Sequence, residues 1–219
     1  YIQKATHILT SVSPNSQGDP VLDQYNEVFS KNTFDWVGYL STTGVYGNHN
    51  GGWVDENSPL KPTTTRGQLR EEAEFAWSKL NVNLHIFRLA GIYGPGRGPF
   101  SKVRNGTARR IIKKGQLFSR IHVDDIAQVL LASIKYPRQG AIYNVCDDIP
   151  APPEDVIAYA AELLGMPIPL AVDYNEADMT PMARSFYAEN KRVRNDLIKE
   201  ELGIELKFPD YKTGLQSLL

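Results

Sequence analysis

The sequence contains one cysteine, Cys146. An intrachain disulfide is therefore excluded, and such thiol usage points to a reducing compartment, the cytoplasm or an organelle interior, a plastid included. No apolar run approaches the roughly 20 residues that a membrane-spanning helix needs. No signal-peptide or lipidation pattern is visible in the residues given. A net charge of −1 offers no electrostatic footprint for nucleic acid or an anionic bilayer. The four histidines have no cysteine or carboxylate at metal-ligand spacing. G-x-S-x-G and Walker-type loops are absent, as are internal repeats, low-complexity tracts and an evident linker. The glycine fingerprint of dinucleotide sites is missing too: "GPGRGP" fails because Pro99 stands where the third glycine belongs.

What is present is ordinary globular material, 42% apolar and 22% charged, enough for a sizeable core. The 219 residues suit one large domain or one and a half. The chain opens on Tyr1 rather than Met, and almost at once on the strand-like run His7 to Val12. That start leads to the expectation of a missing N-terminal part, through processing or because this is a fragment.

Strands then alternate with helices. "THILTSV" reads as a strand, and Asp19 caps a helix that has Pro20 at its first position. "DWVGYLST" and "LHIFRLA" are further strands, and a helix spans 66–80 between them. "VRNGTARRIIKK" reads as a helix, "LFSRIHV" as a short strand and "AIYNV" as another. Asp124 opens the helix "DDIAQVLLASI", "PPEDVIAYAAELLG" has proline at its start, and Gly203 ends "KRVRNDLIKEELG". Alternation of this kind predicts an α/β fold with a largely parallel sheet. After about residue 100 the shorter strands and added prolines read as a smaller lobe interleaved with the end of the sheet.

One stretch is odd. "PTTTRGQLREEAE" looks like a helix start with a capping box from Thr65 to Gln68. Yet Arg66 and Arg70, four apart, share a face where like charges disfavour a helix by roughly 0.2–0.5 kcal/mol. Two aligned guanidinia suit a carboxylate or phosphate. The alternative is that both are solvated, or pair with Glu74 and Asp55.

Five phrases occur in order: "LSTTGVYG" (40–47), "DENSPLKP" (55–62), "RLAGIYGPGRG" (88–98), "SRIHVDDIA" (119–127) and "IYNVCDD" (142–148). Together they resemble the extended short-chain dehydrogenase/reductase superfamily of NAD-dependent epimerase/dehydratase type, and most closely its atypical bacterial and plastid members. The likeness runs to about Asp148, and "PMARSFYAENKRVRNDLIKEELG" resembles the family's closing helical region.

The resemblance implies a Rossmann-like parallel sheet with helices on both faces, lacking its first strands, plus a small C-terminal α/β substrate lobe. Residues 1–148 would be the C-terminal part of an NAD(P)-binding domain, interleaved with the lobe from about 100, and 149–219 mainly lobe. It implies NAD or NADP as cofactor in the intact protein, with Thr10, Ser11, Arg70, Ala90, Gly91 and Ile92 beside it. It implies a sugar or nucleotide-sugar-like substrate touched by Tyr46, Arg120 and Arg192. A homodimer or a place in a larger assembly is expected, the latter with a non-catalytic role as the alternative.

The catalytic positions carry the main departure. The family's tyrosine and lysine, four apart on one helix, fall at Arg66 and Arg70; the assisting hydroxyl falls at Thr42, which is kept. A guanidinium has no lone pair to offer and a pKa above about 12, so Arg66 cannot replace a phenol as general acid or base. Gly91 stands where many relatives have a substrate-holding asparagine. Phe118 stands where many have an arginine for the substrate diphosphate. Arg120, two residues on and so on the same side of a strand, would take over that task or else pair with a strand-end aspartate. His49, on a glycine-rich loop, is the one histidine considered as a surrogate acid/base group; His122 reads as a hydrogen-bonded core residue.

Overall fold

The computed structural model describes residues 2–219. Its centre is a four-stranded, wholly parallel sheet in the order β1 (His7–Thr10), β2 (Trp36–Thr42), β4 (Leu84–Leu89), β8 (Ala141–Val145). Helices α1 (Pro20–Lys31) and α2 (Thr65–Ser78) cover one face; α4 (Val123–Lys135) and α7 (Asp196–Leu202) cover the other. This is the parallel arrangement that the alternation predicts, in the Rossmann-like form that the resemblance implies.

Period two in the strands explains the two layers. Val37, Tyr39, Leu84 and Ile86 face α1 and α2 and pack on Phe29, Ala73 and Trp77. Trp36, Phe87, Tyr143 and Val145 face the other way, onto Ile126, Val129, Ile198 and Leu202. Gly38 is required between these layers, because a Cβ there would sit 2.1 Å from the Trp36 ring.

The remaining elements build a smaller unit beyond the carboxyl ends of the strands. They are β3 (Trp53–Val54) with β10 (Arg192–Val193), β5 (Gly91–Tyr93) with β7 (Arg120–His122), and β6 (Arg110–Ile112) with β9 (Ala171–Asp173). With them go α3 (Phe100–Arg104), α5 (Pro153–Leu163), α6 (Pro181–Tyr187) and α8 (Tyr211–Gln216). This unit has its own apolar cluster, in which Tyr93, Phe100, Val103 and Ala151 meet Val156, Ala160, Tyr211 and Leu215. Gly214 lets α8 close on it: a Cβ there would overlap the Tyr93 hydroxyl at 1.9 Å.

Several local expectations change. "VRNGTARRIIKK" is not one helix; α3 ends at Arg104, Gly106 turns with φ +66°, and Arg110–Ile112 are strand β6. Asn105 and Gly106 are poor helix formers, and tertiary pairing with β9 draws the basic run into a strand. The cap of α2 is Thr64, whose hydroxyl accepts from the Gly67 amide at 3.2 Å, rather than Thr65. Helix α4 is capped by His122, whose Nδ1 accepts from the Asp124 amide; Asp125 is fully buried and accepts from the Lys207 and Phe208 amides. No helix among the described residues is long and apolar enough to cross a membrane.

Candidate functional site

A cleft of about 680 Å³ opens where the carboxyl ends of β2 and β4, and the segment following β1, face the smaller unit. Parallel α/β sheets place ligands there because helix N-termini and loops converge on one edge. Five cations, Arg66, Arg70, Arg97, Arg120 and Lys191, line it against one carboxylate, Glu189, among the described residues. Glu189 is already engaged: it accepts from the Thr63 amide and hydroxyl and pairs with Lys191 at 2.9 Å. For a chain of net charge −1, the cleft is locally and strongly positive.

Of the residues singled out in the sequence, Thr42, Arg66, Arg70, Ser11, Ala90, Gly91, Ile92 and Arg120 meet at this cleft. Thr42 caps the 3₁₀ turn Thr43–Tyr46, its oxygen accepting from the Gly44 amide at 3.1 Å. Its hydroxyl hydrogen is left to donate elsewhere. Arg70 does not pair with Arg66 around an anion. Its Nη1 donates to the Leu40 carbonyl at 2.6 Å and the Tyr39 hydroxyl at 3.1 Å, and its Nη2 to Ser13 at 3.1 Å. Arg66 is exposed, and its guanidinium lies 4.4 Å over the Phe186 ring of α6. Neither arginine pairs with Glu74 or Asp55.

Those two acids are used elsewhere, for a reason the register supplies. Ser41, Arg88 and Asn144 are directly opposed across β2, β4 and β8 and point to the α2 face. There Glu74 meets Arg88 at 2.8 Å, and Ser41 donates to Glu74 at 2.5 Å. Arg88 also donates to the Tyr46 hydroxyl at 2.9 Å, which in turn donates to Asn144 at 2.7 Å. Burial pulls the Arg88 guanidinium down, but the bonds and charge of Glu74 outweigh it and leave Arg88 raised. Asp55 instead fixes Ser58 in the following turn.

Three expected contacts lie elsewhere. Tyr46 is fully buried in that network and does not line the cleft; burial pushes its phenol up to about 12. Arg192 stacks 5.9 Å over Trp53, away from the cleft, because β10 pairs with β3. Thr10 is buried behind the cleft lining, its hydroxyl without a hydrogen-bond partner, while the neighbouring Ser11 and Ser13 reach the surface of the cleft. His49 is likewise outside the lining, its Nε2 3.0 Å from the Tyr46 carbonyl oxygen.

Arg120 takes the place beside Gly91 in the β5–β7 pair. A Cβ at Gly91 would lie 3.3 Å from the Ser119 carbonyl oxygen and 3.8 Å from Arg120 Cγ, so a side chain there would fit only tightly against the β7 backbone. The Arg120 backbone amide donates to Asp147, and its Nη1 donates to the carbonyls of Phe118 and Ala151 at 2.8 and 3.0 Å. It forms no ion pair among the described residues, and burial pulls its guanidinium below the usual value. Arg97, Phe186, Glu189, Lys191 and Tyr211 belong to the cleft without any sequence signal, since each arrives from the smaller unit or its loops.

The arrangement defines a class: an α/β protein with a ligand cleft at the carboxyl ends of a parallel sheet, closed by a second unit. No family model matches the chain. A functionally unknown conserved protein from Silicibacter pomeroyi is 63% identical in structure-based comparison, covering 97% of this chain and 76% of that one, with a TM-score of 0.94. A structure from Methylobacillus flagellatus assigned to the NAD-dependent epimerase/dehydratase class is 27% identical, covering 90% and 68%, with a TM-score of 0.68. Protein YeeZ of Escherichia coli is 32% identical over 176 residues, 78% of this chain. The match spans 58% of YeeZ, less than two thirds of that relative's length. The human epimerase family protein SDR39U1 with NADPH shares the fold at 18% identity, covering 88% and 68%, with a TM-score of 0.73. These likenesses support an assignment to the extended short-chain dehydrogenase/reductase superfamily of epimerase/dehydratase type.

Proposed function

We propose that the intact protein binds NAD or NADP at this cleft and acts as an epimerase/dehydratase-like oxidoreductase on a small anionic substrate. A sugar or nucleotide sugar is the substrate class that the family resemblance supplies. Residues 1–148 would mainly hold the coenzyme, and the elements after about residue 100 the substrate. The coenzyme's fit rests on this chain's own groups. The Ser11, Ser13 and Thr42 hydroxyls border the cleft, and Ala90 and Gly91 leave its floor free of bulk. Those residues suit the nicotinamide–ribose end; no glycine fingerprint for the pyrophosphate occurs in this sequence. When bound, the coenzyme supplies or accepts a hydride.

The observation that carries the reading is the open Arg66 guanidinium on the wall of a cationic cleft, at the position to which the family resemblance assigns a tyrosine. Of the phenols around it, Tyr211 lines the far, smaller-unit end of the cleft, and three others are committed elsewhere. Tyr39 and Tyr46 are fully buried, each pushed by burial to about 12, and the cleft-lining Tyr93 donates to the Asp210 carbonyl. Arg66 therefore serves as a permanent cation and donor that holds an anionic group, while Thr42 offers a hydroxyl. Arg70 braces the coenzyme side by tying α2 to the ends of β2 and the segment after β1.

The same observation favours a second reading, a non-catalytic nucleotide-binding or structural subunit, since proton transfer is what Arg66 cannot do. Fluorescence titration of the intact protein with NADH and NADPH separates the two. Binding of either below millimolar concentration supports the oxidoreductase. Failure of both removes it. If a coenzyme binds, Arg66→Tyr tests whether only the proton shuttle was lost, read as gain of turnover on sugar nucleotides.

A further inference from the structure

The lobe end of the cleft has a chemistry of its own. With Nη1 held by two backbone carbonyls, the Arg120 guanidinium is fixed in place, and its Nε and Nη2 have no protein partner among the described residues. Neither atom is sealed from solvent. These two donors form one edge of the planar fork, the edge that matches a carboxylate with two parallel hydrogen bonds. Beside it stands Tyr211, whose hydroxyl also lacks a protein partner and which, like Arg120, lines the cleft. Leu117, Phe118, Val156 and Leu215 add apolar surface to the lining.

We propose that Arg120 and Tyr211 form a carboxylate-binding subsite, and that the substrate is a carboxylic acid borne on an apolar or aromatic body. The inference rests on reading the cleft as a substrate site, and it replaces the sugar class, which the family resemblance alone supplies, with a different one. A diphosphate is disfavoured by the neighbouring helix. Helix N-termini attract phosphate through free amides, but α5 has Pro152 at its cap and Pro153 at its first position, neither with an N–H, followed by Glu154 and Asp155. A singly charged carboxylate asks only for the one fixed fork. The two acids that reach Arg120 electrostatically do not occupy that edge. Asp147 accepts from the backbone amide, and burial holds its carboxyl up at about 8; burial also raises Glu154. The apolar side chains in the lining suit an apolar or aromatic body, whose burial against them is favourable.

The test is calorimetric titration of the intact protein with 3-phenylpropionate, its neutral amide, phenyl phosphate and a nucleotide sugar. Saturable binding of 3-phenylpropionate is expected, with no binding of the amide and weaker binding of phenyl phosphate. Arg120→Gln should weaken binding by roughly tenfold or more, and Tyr211→Phe by less. Lys31→Gln, which removes an exposed cation outside the cleft, should leave it unchanged. Equal affinity for acid and amide overturns the proposal, as does indifference to both Arg120→Gln and Tyr211→Phe, or tighter binding of phenyl phosphate or the nucleotide sugar. The coenzyme reading is judged separately by NADH and NADPH fluorescence. Carboxylate binding without coenzyme binding upholds this subsite while removing the oxidoreductase; the reverse removes the subsite alone.

Discussion

Two strand arginines, Arg88 in the sheet and Arg120 in the smaller unit, meet the same problem and solve it in opposite ways. Both are drawn out of water, which disfavours the charge. Arg88 is given a carboxylate, a phenol and a network that uses each nitrogen, and its charge is held more firmly than usual. Arg120 is given two carbonyls and an open edge, and its charge is held less firmly. A buried guanidinium with every donor satisfied is structure. One with a free edge facing a cleft is a receptor awaiting an anion.

The sharpest way to break the comparison is to unpair Arg88. Glu74→Gln leaves an uncompensated charge between α2 and the sheet, and should destabilise the fold by about 3–5 kcal/mol, read from urea unfolding. A loss below about 1 kcal/mol would mean the pair behaves as if exposed. Tyr46→Phe comes next. It removes one hydroxyl that both accepts from Arg88 and donates to Asn144, and should cost about 1–3 kcal/mol.

The floor under Arg120 adds a pH signature. Asp147 is raised to about 8 in the fold, far above an unfolded carboxyl, so the folded state binds more protons between those values. Its contribution is present at low pH and is lost as pH rises through about 8. His85 works in a different window. Burial lowers it to about 4, so its contribution is lost only as pH falls below its ordinary value. Between pH 6.5 and 8.5 the urea midpoint should therefore decline with pH, and Asp147→Asn should flatten that decline. Parallel slopes in the two proteins would show that Asp147 is ionised throughout. The smallest effect belongs to the exposed Arg66. Arg66→Ala removes one stacking contact on Phe186 and should change stability by no more than about 0.5–1 kcal/mol.

The sheet was legible in the sequence because its signals are local. Alternating apolar runs mark β2 and β4, Asp19 with Pro20 marks the start of α1, and Gly203 with φ +63° ends α7. The short strands β3, β5, β6, β9 and β10 carry no period long enough to read, and exist because a partner strand reaches them. The site divides along the same line. Thr42, Arg66, Arg70 and Arg120 could be placed by their spacing within recognisable phrases. That Glu74 belongs to Arg88 could not, since the pair depends on register across three strands. Nor could the withdrawal of Tyr46 from the cleft, because a buried phenol and a substrate-facing one share the same sequence. Arg70 shows the same limit: its helical spacing is plain, but its commitment to Leu40 and Ser13 follows only from where β2 ends.

The direct measurement is nitrogen-15 NMR of the arginine side chains during titration with 3-phenylpropionate. The Arg120 Nε–H resonance should shift with saturation while that of Arg88 stays fixed. Movement of both together, or of neither, would contradict the division between a structural guanidinium and a receptive one.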